Sequence, residues 1–128
     1  IDTNYEGKAD AALKALADGY DFVYLHIEST DEVSHAQDLK LKLQAIEDFD
    51  KRIIKRVMDN APQGTAFAVL PDHPVPLATG RHTRTPVPVA IYKPGNTPDA
   101  VQAYNEKAAP AGALGAMKGS DFMDALLK

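Results

Sequence analysis

Phe22-Val23-Tyr24-Leu25-His26-Ile27 is a continuous apolar and aromatic run, the mark of a strand buried on both faces rather than on one. Further along, Thr65-Ala66-Phe67-Ala68-Val69-Leu70 repeats the pattern. Between them Leu39, Leu43, Ile46, Phe49, Ile53 and Val57 keep a three-to-four spacing from about Asp38 to Met58, with Glu47, Asp48, Lys51, Arg52 and Lys55 forming a wet side. Asn60-Ala61-Pro62-Gln63-Gly64 breaks that helix. Strand, helix, strand predicts a βαβ unit, so the two strands are expected to be parallel with a right-handed crossover. Their carboxyl ends then share one edge of the sheet, where ligands gather in open α/β folds. The fold class that follows is α/β, a mostly parallel sheet flanked by helices.

Outward from this unit, Ala9, Ala12, Leu13 and Leu16 predict an amphipathic helix over Tyr5–Ala17, capped by Asn4 and ended by Gly19. Val87-Pro88-Val89-Ala90-Ile91-Tyr92 reads as a third strand, with Pro86 and Pro88 placing it at an edge or a strand start. Thr97-Pro98 suits the opening of a short helix through about Lys107. A Gly-rich link from Ala111 to Gly119 leads to a last helix, capped by Ser120 and ending at Leu126 and Leu127.

With 128 residues, 45% of them hydrophobic, the chain can build one core but not two ordinary domains. A net charge of −4 and a pI near 5.5 disfavour a surface that tracks nucleic-acid phosphates. The chain has no cysteine, which excludes disulfides, thiolate zinc sites and thiol nucleophiles and suits a reducing cytoplasm. No apolar run reaches the roughly 18 residues that span a bilayer, so no membrane partner is expected. The opening Ile1-Asp2-Thr3-Asn4-Tyr5 lacks an initiator methionine and runs directly into helical pattern, as a piece of a larger protein would.

Three histidine-bearing segments flank the strand-like runs: Asp31-Glu32-Val33-Ser34-His35, Asp72-His73 and Gly80-Arg81-His82-Thr83. Singly, each has a plain explanation: helix capping beside a solvated histidine, a turn, and a loop residue. The βαβ order, however, brings Asp31 and His35 to the same sheet edge as Asp72 and His73. Asp31, His35, Asp72, His73 and His82 together form a set of imidazoles and carboxylates suited to Mn²⁺ or Zn²⁺. Pairs of such ions clamp the attacking and leaving oxygens of phosphoryl transfer. His26, inside the first strand, is expected to be a core imidazole paired with a backbone or carboxylate group. Arg81 is a candidate for bidentate contact with a substrate phosphate or carboxylate, whereas Arg84 is expected to be solvated.

The segments Tyr24 to His35, Ala45-Ile46-Glu47-Asp48-Phe49-Asp50, Pro71-Asp72-His73 and Arg81-His82-Thr83-Arg84-Thr85-Pro86-Val87-Pro88-Val89 resemble the carboxy-terminal part of archaeal-type cofactor-independent phosphoglycerate mutases, a branch of the alkaline phosphatase superfamily. Asp2 to Ala9 and Gly119 to Met123 extend the likeness over nearly the whole chain. The resemblance implies a partial alkaline-phosphatase-like layered fold, with residues 1–128 as the carboxy-terminal part of a metal-binding phosphotransfer domain. It implies that Asp31, His35 and His82 hold one divalent ion and that Asp72 and His73 contribute to a second. Mn²⁺ is the first expectation, with Zn²⁺, Co²⁺ or Mg²⁺ as substitutes. The implied reaction interconverts 3-phosphoglycerate and 2-phosphoglycerate through a phosphoserine intermediate.

The family's serine nucleophile and a further aspartate ligand lie upstream of the matched region, and none of Ser29, Ser34 or Ser120 stands in an equivalent place. The 128 residues alone are therefore expected to lack turnover. Pro71 and Pro74 around Asp72-His73, and Arg84, depart from the residues common in relatives. The alternatives are a related phosphotransferase acting on another small alcohol, such as a proposed homoserine kinase, and a non-catalytic α/β module that binds a protein. A fragment of an open sheet is also expected to pair with a copy of itself or with the remainder of its parent.

Overall fold

A computed structural model describes residues 2–128. These residues form two compact units, one running to Gln63 and taking in Val75–Thr83, the other made of Gly64–Pro74 and Arg84–Lys128.

The first unit is helical. Helix α1 (Tyr5–Ala17) starts where Asn4 Oδ1 accepts the Gly7 amide at 2.9 Å, as the sequence predicts. Helix α2 (Ser29–His35) is short, and helix α3 (Leu39–Asp48) follows it, capped by the Asp38 carboxylate on the Leu41 amide at 2.9 Å. The chain continues through a π-helical segment, Phe49–Ile54, into α4 (Lys55–Asn60). The long helix expected from about Asp38 to Met58 is thus present, with wider turns in its middle. These place Ile53 against Tyr5 and Ala9 to form the core, with Leu25, Ile27, Phe49 and Val57 packed around it. Arg52 lies over the Tyr5 ring, 4.5 Å from its centroid, and forms a two-pronged hydrogen bond to Glu6 at 2.6 and 2.8 Å. Arg56 makes the same kind of pair with Asp10 at 2.8 and 3.0 Å.

Phe22–Ile27 departs from expectation. Among the described residues it pairs with no strand, so the βαβ unit and the mostly parallel sheet are not shown; the one described sheet has two antiparallel strands. Burial alternates along it: Val23, Leu25 and Ile27 turn inward, while Phe22, Tyr24 and His26 are exposed. His26 is accordingly no core residue; it stacks on Tyr24 and faces Glu28 at 3.8 Å. Of the expected buried stripe of the long helix, Phe49, Ile53 and Val57 pack inward, but Leu39, Leu43 and Ile46 are exposed, and α3 buries Ala45 instead.

In the second unit, strand β1 (Phe67–Val69) pairs antiparallel with β2 (Ala90–Tyr92), with Ala68 opposite Ile91. A strand exists only where a neighbour completes its ladder, and β2 supplies one for β1. The third strand begins at Ala90 rather than Val87, since Pro88 has no amide to donate. No helix forms over Thr97–Lys107. There the Asp99 carboxylate accepts the Val101 and Ala113 amides at 3.0 and 2.8 Å, and Asn105 Oδ1 accepts those of Lys107 and Ala108. Such side-chain acceptors offer the backbone an alternative to helical bonding. The last helix, α5, spans Phe122–Leu127 after a 3₁₀ turn at Gly119–Asp121.

Tyr104 donates its hydroxyl toward the carbonyls of Val69 and Pro88, at 3.2 and 3.0 Å, tying the β1 end to the approach of β2. Burial raises its phenol to about 12.

Candidate metal centre

Three of the residues singled out in the sequence meet in the first unit. Asp31 and His35 lie four residues apart on α2 and therefore project from the same side of the helix. His82 comes from the loop that follows Gly80. His35 Nε2 lies 3.1 Å from His82 Nε2 and 3.3 Å from Asp31 Oδ2, and His82 Nε2 lies 3.5 Å from Asp31 Oδ1. All three offer a ligand atom within a 4.8 Å span.

These distances test the fit to a metal. A tetrahedral ion with bonds of about 2.0–2.1 Å keeps its ligand atoms about 3.3–3.4 Å apart. The two imidazole nitrogens, 3.1 Å apart, and the Asp31 carboxylate, which turns Oδ2 to His35 and Oδ1 to His82, come within the spacing that ligands of one ion keep. This donor set suits Zn²⁺, Mn²⁺ or Co²⁺.

The second ring nitrogen of His35 sets its tautomer. His35 Nδ1 is 2.8 Å from the Gly80 carbonyl, which can only accept, so Nδ1 carries the proton and Nε2 presents its lone pair to the other two ligands. The backbone that delivers this carbonyl is tight. Gly80 has φ +60°, and a Cβ there would stand 2.9 Å from Gln37 Cγ and 3.1 Å from the His35 carbonyl. Gln37 itself turns the chain off α2 with φ 57° and donates from Nε2 to the Leu77 carbonyl at 2.7 Å. The helix bearing two candidate ligands and the loop bearing the third are thus laced together by Gln37–Leu77 and His35–Gly80.

Asp72 and His73 lie in the second unit, beyond β1. Asp72 Oδ1 accepts the His73 amide at 3.0 Å, and Oδ2 stands 3.4 Å from His73 Nε2. This separation also suits two ligand atoms on one ion. Arg81 is exposed beside His82, its amide donating to Thr79 Oγ1 at 3.4 Å. Gly80 and Gln37 were not singled out as functional from the sequence. The glycine that opens the Gly80-Arg81-His82-Thr83 segment was the available signal for Gly80; Gln37 carries none.

Comparison with known proteins agrees with this chemistry. A family profile described as the Metalloenzyme superfamily matches residues 1–128. The 2,3-bisphosphoglycerate-independent phosphoglycerate mutase of Methanosarcina acetivorans is 42% identical over 132 residues, covering 100% of this chain and 33% of that protein. The probable 2,3-bisphosphoglycerate-independent phosphoglycerate mutase of Geobacter sulfurreducens is 42% identical over 130 residues, covering 99% of this chain and 32% of its own length. The solved structure of the PH0037 protein from Pyrococcus horikoshii matches with a TM-score of 0.91 at 33% identity, covering 98% of this chain and 38% of that one. The chain spans about a third of the length of the curated relatives it matches. With an Asp-His-His triangle at ligand spacing and a profile match from end to end, this chain belongs to the metalloenzyme superfamily.

Proposed function

We propose that this chain is the metal-binding part of a longer cofactor-independent phosphoglycerate mutase, which interconverts 3-phosphoglycerate and 2-phosphoglycerate through a phosphoserine intermediate. The observation that carries the reading is the Asp31–His35–His82 triangle in a chain similar throughout to curated mutases. Asp31, His35 and His82 would hold one divalent ion, and Asp72 with His73 would contribute to a second, completed by residues of the longer protein. Mn²⁺ is the first candidate. When bound, such ions polarise phosphoryl oxygens and lower the pKa of an attacking hydroxyl.

The chain's own residues have defined tasks in this scheme. Asp31 brings negative charge that offsets part of the ion's, the Gly80 carbonyl holds His35 in its ligating tautomer, and Arg81 would meet the substrate's phosphate or carboxylate. The nucleophilic serine is assigned to the longer protein. Phe22–Ile27 would be a strand of a mostly parallel, alkaline-phosphatase-like sheet there. The exposure of Phe22, Tyr24, Leu39, Leu43 and Ile46 supports a further layer over them. Glycolytic chemistry and the lack of cysteine favour a cytoplasmic protein. Among the described residues, no helix is long and apolar enough to cross a membrane.

The test is a coupled enolase assay of the longer protein with Mn²⁺, together with titration calorimetry of this chain. Production of 2-phosphoglycerate, and metal binding that disappears in His35→Ala, are the expected results. Absence of 2-phosphoglycerate with the metal present rejects the mutase assignment.

A further inference from the structure

Helix α2 carries two of the three ligands, yet it is only seven residues long. A helix of that length does not persist by itself in water, so its position must be imposed from outside. No side chain caps its start: Glu28 makes no capping bond. What meets its first residue is a tyrosine from another helix. Tyr5 Oη donates to Ser29 Oγ at 2.7 Å, and both residues are buried, with 1% and 0% of their surface exposed.

The tyrosine is itself held in place. It opens α1, its ring packs against Ala9 and Ile53, and the Arg52 guanidinium covers its face while pairing with Glu6. Phenylalanine would fill the same space, so the hydroxyl needs a reason. Its buried partner lies two residues before Asp31 and six before His35 on the same short helix. A hydrogen bond at 2.7 Å fixes both the rotation and the advance of α2 at that point, and thereby the direction in which both ligands project.

From this we infer that Tyr5 is a positioning residue for the metal centre, acting through Ser29. The inference rests on the metal-site reading, but its mechanical part can be measured without metal. In the metal-free chain, Tyr5→Phe should accelerate amide hydrogen exchange along α2 selectively, leaving α3 unchanged. In titrations with Zn²⁺ or Mn²⁺, Tyr5→Phe and Ser29→Ala should each weaken binding by about 10-fold, in the range usual for outer partners of metal ligands.

Two comparisons separate positioning from general stability. Arg56→Ala, which removes the two-pronged pair with Asp10, should lower the melting temperature without moving the metal affinity. The double variant Tyr5→Phe with Ser29→Ala removes both polar partners, so stability should largely recover while affinity stays low. The inference is overturned if α2 protection in Tyr5→Phe matches the parent, or if the double variant binds metal within about twofold of the parent. If the parent binds neither ion, the metal reading fails, and the exchange experiment still decides whether Tyr5 sets α2.

Discussion

The Nδ1–H of His35 donates to the carbonyl of Gly80 at 2.8 Å, across 45 residues of sequence. One bond thereby does two things: it joins helix α2 to the loop that carries His82, and it leaves Nε2 as the nitrogen that faces Asp31 and His82.

Gly80→Ala tests that arrangement. A side chain at φ +60° is strained, and its Cβ would press on Gln37 Cγ at 2.9 Å and the His35 carbonyl at 3.1 Å. A loss of about 1–3 kcal/mol in stability is expected, with weaker Zn²⁺ binding because the carbonyl moves off His35. Urea unfolding and calorimetry measure the two effects. Unchanged affinity would show that the carbonyl does not orient the ring.

Asp31→Asn keeps the shape of the ligand and removes its charge. Carboxylate donors matter more to Mn²⁺ than to Zn²⁺, which imidazole suits well. Mn²⁺ affinity should therefore fall further than Zn²⁺ affinity, by roughly 10-fold or more. Unchanged affinity for both ions would show that Asp31 is no ligand, and equal losses would overturn the expected difference between them.

Acid stability should depend on Glu6. Hydrogen bonding from Arg52 holds its carboxyl at about 2, against an ordinary 4.5. The folded state thus binds this proton less readily than the unfolded chain does, so the contribution is fully present above about 4.5 and disappears as the pH falls toward 2. Glu6→Gln should unfold less steeply with acid over that interval, as followed by circular dichroism. Identical acid profiles for the parent and Glu6→Gln would contradict the pairing.

Asp38→Ala removes the acceptor that caps α3 at the Leu41 amide. The expected cost is about 1 kcal/mol, read as a lower urea midpoint. Metal affinity should not change, because no ligand lies on α3.

Much of this organisation is legible in the residues themselves. Asn4 and Asp38 mark helix starts through short-range geometry, and the spacing from Asp38 to Met58 predicts a helix that is present. Local rules fail where a backbone has competing acceptors, as at Asp99 and Asn105, which turn the expected Thr97–Lys107 helix into a loop. They fail again at Phe22–Ile27, because apolar composition records that a segment is meant to be covered, not what covers it.

In the sequence by itself, short-range chemistry was enough to name Asp31, His35 and His82 as candidate ligands and Asn4 as the cap of α1. Helix α2, which puts Asp31 and His35 on one face, is not foreseen there, and the caps expected at Thr97 and Ser120 are not made. Tertiary structure alone decided that His82 closes the triangle, that Gly80 selects the His35 tautomer, and that β1 takes β2 as an antiparallel neighbour. Those are encounters between residues distant in sequence, settled by which partners lie within hydrogen-bonding reach once the chain has folded.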